Sequence, residues 1–90
     1  MINQIVILGE INQFLNQNHT EAKDFLFFQI VVKNHYSGID NDYFLKCQIW
    51  HKHYLIFKNL LREGNKLLIK GKLVANQDQQ IIDVEDLIVV

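Results

Sequence analysis

The sequence predicts an all-β fold, a small five-stranded barrel with a single helix inserted. Three observations lead there. Apolar residues alternate with polar ones along several short runs, as strands with one buried face require. One stretch between two such runs changes to helical spacing, and polar segments rich in Asn, Asp and Gln separate the remaining runs.

From Ile2 to Ile11, one side carries Ile5, Ile7, Gly9 and Ile11 and the other Gln4, Val6, Leu8 and Glu10, predicting a strand with a bulge or bend at Gly9. Asn12 to Asp24 is polar and predicts a loop. Phe25 to Asn34 is a second strand, with Phe28, Ile30 and Val32 inward and Gln29, Val31 and Lys33 outward. Asn34 to Asp42 reads as a loop carrying Tyr36, and Tyr43 to Trp50 as the third strand. Over His51 to Glu63, Tyr54, Phe57 and Leu61 recur at helical spacing with support from Ile56 and Leu60. Gly64 follows as a helix stop. Lys66 to Val74 returns to period two, with Leu67, Ile69, Gly71 and Leu73 inward and Lys66, Leu68, Lys70 and Lys72 outward. A turn at Asn76-Gln77-Asp78-Gln79 leads to a last strand from about Gln80. The order strand, strand, strand, helix, strand, strand is that of the OB-fold, a five-stranded Greek-key barrel with its helix between the third and fourth strands. Residues 1–90 are expected to form one such domain, since no linker or repeat divides them.

The third strand carries the strongest functional signal. Leu45, Cys47 and Ile49 share the core side, and Phe44, Lys46, Gln48 and Trp50 share the other. A solvated face has no need of Trp and Phe, and a dry face accepts a lysine poorly. Flat aromatic surfaces with a cation between them suit stacked bases joined by phosphates.

Composition bounds the alternatives. Nearly half the chain, 49%, is hydrophobic, so a core is expected and disorder is not. The lone Cys47 precludes an intrachain disulfide and fits a reducing, cytoplasmic setting. The start lacks the basic residues of a signal peptide, and no apolar run approaches the ~18–20 residues of a membrane span. The net charge of −1 is low for a nucleic-acid binder, but its distribution is uneven. Lys46, Lys52, Lys58, Arg62, Lys66, Lys70 and Lys72 fall within 46–75 against Glu63 alone, and acids gather at Asp83, Glu85 and Asp86. A basic patch on a near-neutral protein still tracks phosphates. The competing reading makes these lysines ordinary solvated residues.

Cys47, His51 and His53 do not complete a metal-ligand spacing, so no metal or other cofactor is expected. Neither a phosphate-binding glycine loop nor a nucleophile elbow occurs, and the carboxylates show no pairing that would support acid–base chemistry. An enzyme is not expected.

With these elements placed, the chain resembles the bacterial single-stranded DNA-binding protein family along essentially its whole length. The opening Met1-Ile2-Asn3-Gln4-Ile5-Val6-Ile7-Leu8-Gly9 is similar to that family's start, and Phe28-Gln29-Ile30-Val31-Val32 to its second strand. Phe44 to Lys52 is similar to its third strand, and Leu60 to Leu67 with Gly71-Lys72-Leu73 to its helix end and fourth strand. The resemblance implies base-stacking places for Phe44 and Trp50, a further aromatic at Tyr36, and phosphate contacts at Lys46 and Lys52. It departs in three respects. The segment from Val74 to Gln80 is short and carries no cation where the family has a long basic loop, and Glu10 stands where a basic residue is common. The family's acidic tail, which recruits replication partners, has no counterpart within these 90 residues. The departures argue against a long footprint and tail-mediated recruitment, and bring primosomal replication protein N, a tail-less relative of the same fold, into view.

The expected function is therefore single-stranded DNA binding with little sequence preference, in bacterial replication, repair or recombination. Phe44, Trp50 and Tyr36 would stack, with Lys46, Lys52, Lys70, Lys72 and Lys33 along the backbone. RNA offers the same stacking and phosphate contacts and stays open as a ligand. The alternative is an OB-fold interaction subunit of a primosome-like assembly with weak nucleic-acid affinity. A homo-oligomer, dimer or tetramer, is expected through Gln4, Val6 and Leu8, because that outward row is too apolar for a solvated strand.

Overall fold

The computed structural model describes residues 3–15, 25–36, 39–76 and 78–90; the side chains of 34–36, 39, 40 and 76 lie outside the description. Five strands are present: β1 (Ile5–Phe14), β2 (Phe25–Tyr36), β3 (Ile39–Trp50), β4 (Lys66–Asn76) and β5 (Gln79–Val89). One helix, α1 (His51–Phe57), joins β3 to β4. The strands close into a barrel in the order β1-β2-β3-β5-β4. All pairings are antiparallel except β3–β5, which is parallel at Cys47↔Ile82 and Gln48↔Asp83. This is the expected OB-fold.

Alternation fills the barrel. Ile11, Leu26, Phe28, Ile30, Cys47, Ile49, Leu67, Ile69, Ile82, Val84 and Leu87 are buried in one cluster. No polar or charged residue is buried among the described residues. Burial pushes the Cys47 thiol up to about 12, so it stays neutral at physiological pH and packs as a small apolar group.

Several boundaries differ from the expected ones. β1 continues through Asn12–Phe14, which pairs with β2, and the register shift falls between Ile11 and Gln13 rather than at Gly9. Residues 16–24, most of the expected polar loop, lie outside the described residues. The segment read as a loop after Asn34 extends the β2–β3 ladder to Tyr36↔Ile39, so those strands form one long hairpin. Val31 faces outward as expected yet is buried, and Leu73 is exposed although its spacing placed it inside. The partner of Leu73 across the β4–β5 ladder, Ile82, is buried, so exposure here is confined to the β4 side of the pair. The turn is tight: Asn76 pairs with Gln79, and Asp78 takes φ 67°. Aspartate tolerates that left-handed conformation where hairpins otherwise use glycine. Gln77 lies outside the described residues.

The helix is shorter than His51 to Glu63. It lacks a side-chain N-cap bond and acidic residues in its first turn, so little holds it beyond its packing. Tyr54, Phe57 and Leu60 pack on the core and Leu61 is buried in it, while Ile56 is exposed rather than supporting them. Tighter turns replace the helical ladder after Phe57, with Leu60 N–H donating to the Phe57 carbonyl at 2.8 Å. The chain then meets β1, where Gly64 N–H donates to Ile11 O (2.8 Å) and Ile11 N–H to Asn65 O (3.0 Å). Gly64, at φ 90°, serves this turn into β4 and lies beyond the helix end.

Gly71 marks a backbone crossing. The β4–β5 register shifts between Lys70 and Gly71, so Lys70 pairs with Asp86 and Gly71 with Val84 while Glu85 bulges. A side chain at position 71 would overlap the Asp83 carbonyl oxygen.

Candidate nucleic-acid interface

The outward face of β2 and β3 is set by register. Phe25 stands opposite Trp50, Phe27 opposite Gln48, Gln29 opposite Lys46, and Val31 opposite Phe44. Each pair lies on the side away from Leu26, Phe28, Ile30, Cys47 and Ile49, which are buried. The result is a strip with Trp50 and Phe25 at one end and Phe44 at the other, ~20 Å apart by strand rise. Phe44 is 56% exposed and Trp50 36%, large values for residues so apolar.

Cations lie on this strip. Lys46 Nζ sits 4.9 Å from the Phe27 ring centroid and 3.4 Å from Gln79 Oε1. Lys52 Nζ lies 5.2 Å from the Trp50 ring centroid. His53 meets Trp50 edge-on at 5.8 Å. Each cation is therefore held close to a ring that faces outward. Phe25 and Phe27 contact each other with centroids 6.5 Å apart.

The other expected site residues are more scattered. Lys33 is exposed on the same face, opposite Asp42 and beyond Phe44. Lys70 belongs to the β1–β4–β5 face, between Val6 and Asp86. Lys72 stands opposite Asp83, whose Oδ1 accepts from Gln48 Nε2 at 3.2 Å, so Lys72 reaches the aromatic strip only across β5. Tyr36 ends β2, and its side chain lies outside the described residues.

On the neighbouring face, Val6 (60%) and Leu8 (51%) are well exposed, and Gln4 is exposed with them. Leu8, Leu68 and Ile88 stand side by side across β1, β4 and β5. Gln4, Val6, Leu68 and Ile88 line one shallow groove with Lys70 and Asp86 at its edge.

Solved structures share this architecture. PriB from Ralstonia solanacearum superposes with a TM-score of 0.78 at 11% identity, covering 99% of this chain and 98% of that one. A small single-stranded DNA-binding protein from Streptomyces coelicolor superposes at 0.75 with 15% identity, over 100% and 95% of the two chains. The fold is that of small single-stranded DNA-binding and PriB proteins. A dimeric structure of the N-terminal domain of PriB from Thermoanaerobacter tencongensis matches at 0.64 with 17% identity, over 98% and 96%. No protein-family model matches the sequence, and comparison with curated proteins finds no match.

Phe25 and Phe27 are candidate site residues that the sequence reading does not single out, and it names Asp83 only as one of a group of acids. Alternation from the buried Phe28 outward through Phe27 and Phe25 was the available signal for the first two.

Proposed function

We propose that this protein binds single-stranded DNA along the outward face of β2 and β3, as a binding module rather than an enzyme. The observation that carries the proposal is the aromatic strip itself, with Lys46 held over Phe27 and Lys52 over Trp50. Bases stack on Trp50, Phe44, Phe25 and Phe27, and Tyr36, at the end of β2, is proposed as a further stacking residue. Phosphates pass Lys46 and Lys52, with Lys33, Lys72 and Lys70 at the periphery. The likeness in fold to single-stranded DNA-binding proteins supports this reading. Replication, repair or recombination in the cytoplasm is the fitting setting.

Competition binding tests the proposal. A labelled single strand should be displaced by unlabelled single strand far better than by duplex of equal length. Equally weak displacement by both would instead assign the strip to a protein partner, the reading that the net charge of −1 favours.

Lys46→Ala and Lys52→Ala should each weaken binding across sequences alike. Each should flatten the slope of log affinity against log salt by about 0.7, the value for one phosphate contact on a single strand. Parental salt slopes in both variants would return these lysines to the solvated class.

The second face joins two copies of the chain. Gln4, Val6 and Leu8, extended by Leu68 and Ile88, form an apolar surface of the kind that solvent-facing strands avoid. The dimeric PriB fold supports this assignment. Pairing barrels, as a dimer or as a tetramer built from two dimers, also raises the effective concentration of sites along one strand. Val6→Glu should convert the oligomer to monomer in light scattering at micromolar concentration; a monomeric parent would overturn the assignment.

A further inference from the structure

Asp83 does not fit a surface devoted only to phosphates. The outward row at its level runs Phe27 on β2, Gln48 on β3, Asp83 on β5 and Lys72 on β4, each opposite the next in register. A carboxylate in the middle of a phosphate track repels the ligand. Yet this one is half-buried and tied to Gln48, whose Nε2 donates to Asp83 Oδ1 at 3.2 Å. That bond uses one amide hydrogen and one carboxylate oxygen. What the pair has left is mainly acceptor: Asp83 Oδ2, Gln48 Oε1 and a single N–H.

We infer that Gln48 and Asp83 read the edge of a base stacked on the neighbouring rings and select bases bearing an exocyclic amino group, cytosine over uracil or thymine. The inference rests on the single-strand reading of this face and adds a preference to it. The cytosine amino group donates to a carboxylate. In uracil and thymine the same ring position carries a carbonyl, which sets an acceptor against the carboxylate, and their one edge donor, N3–H, lies a ring atom away, so a base held with its 4-substituent at Asp83 meets the wrong partner. Discrimination then comes from rejecting the wrong base as much as from holding the right one. Lys72, on the far side of Asp83, places a cation beyond the carboxylate for the chain that leaves the row.

The competing account makes the Gln48–Asp83 bond a suture between β3 and β5. Asp83→Asn separates the two, because asparagine keeps an acceptor for Gln48 and turns the second oxygen into a donor. Fluorescence-anisotropy competition at pH 8 should compare oligo-dC with oligo-dU of one length, whose bases differ in the 4-substituent, amino or oxo, and in the bare or protonated N3 beside it. The parent should bind oligo-dC at least about fivefold tighter. Asp83→Asn should bring the ratio below twofold or reverse it. With the protein unaltered, oligo-dC carrying N4,N4-dimethylcytosine should fall to the affinity of oligo-dU, a readout that does not depend on how the variant folds. Equal parental affinity for the two strands would overturn the inference and leave the single-strand reading standing. A preference that survives in folded Asp83→Asn, or in the dimethylated strand, would overturn it too. Absence of binding to either strand would defeat the single-strand reading itself.

Discussion

Trp50→Ala is expected to cost about 1–3 kcal/mol of single-strand affinity, a five- to 150-fold rise in Kd. The ring is exposed at one end of the strip, opposite Phe25, with Lys52 5.2 Å from its centroid. Removing it takes away a stacking surface and the ring that holds a cation in place, so the loss should fall at the upper end of that range. Phe44→Ala should cost less, because Phe44 lies at the far end without a cation over it among the described residues. Stability should change little in either variant, since neither side chain belongs to the buried cluster. Equilibrium titration alongside thermal unfolding checks both parts: an unchanged Kd in a folded Trp50→Ala would contradict the stacking account.

Gly71→Ala is expected to destabilise the fold by about 3 kcal/mol. Glycine to alanine in a compatible conformation normally stabilises by about 0.4–1 kcal/mol, through the unfolded chain. Gly71 does not have a positive φ, so conformation alone would permit the change. Contact forbids it. The added carbon would overlap the backbone carbonyl of Asp83, which cannot swing aside as a side chain could. Relief requires parting β4 from β5 at the bulge, which also moves Asp83 relative to Gln48. The midpoint in urea should fall markedly with an unchanged slope. A midpoint equal to or above the parent's would show that the strands have room there.

How much was legible in the sequence follows from contrast between neighbouring residues. The third strand was readable because Leu45, Cys47 and Ile49 alternate with Lys46 and Gln48, which fixes the outward side of Phe44 and Trp50. In Phe25-Leu26-Phe27-Phe28 every residue is apolar, so the alternation that places Phe25 and Phe27 outside and Phe28 at the centre leaves no trace in polarity. Asn34 to Asp42 carries turn-forming residues and reads as a loop, yet backbone pairing extends the hairpin through Tyr36↔Ile39. The helix was overextended because Leu61 keeps helical spacing from Tyr54 and Phe57, whereas it reaches the core through turns. Asp83 stood among acids without an assigned partner. Gln48 lies 35 residues away, and a parallel β3–β5 pairing is needed to bring them together. Likewise, Val6 and Leu8 could be read as an apolar row from β1 alone, but Leu68 and Ile88 join them only through the closed barrel.

The most direct test of the central claim is a titration of the fluorescence of Trp50, the chain's single tryptophan, with a single-stranded oligonucleotide at low and at moderate salt. The account predicts saturable quenching at low salt, because a base stacks on the indole. It also predicts a shift of the curve to higher concentration at moderate salt, because Lys46 and Lys52 release their phosphates. Emission that stays unchanged at saturating oligonucleotide and low salt would contradict it.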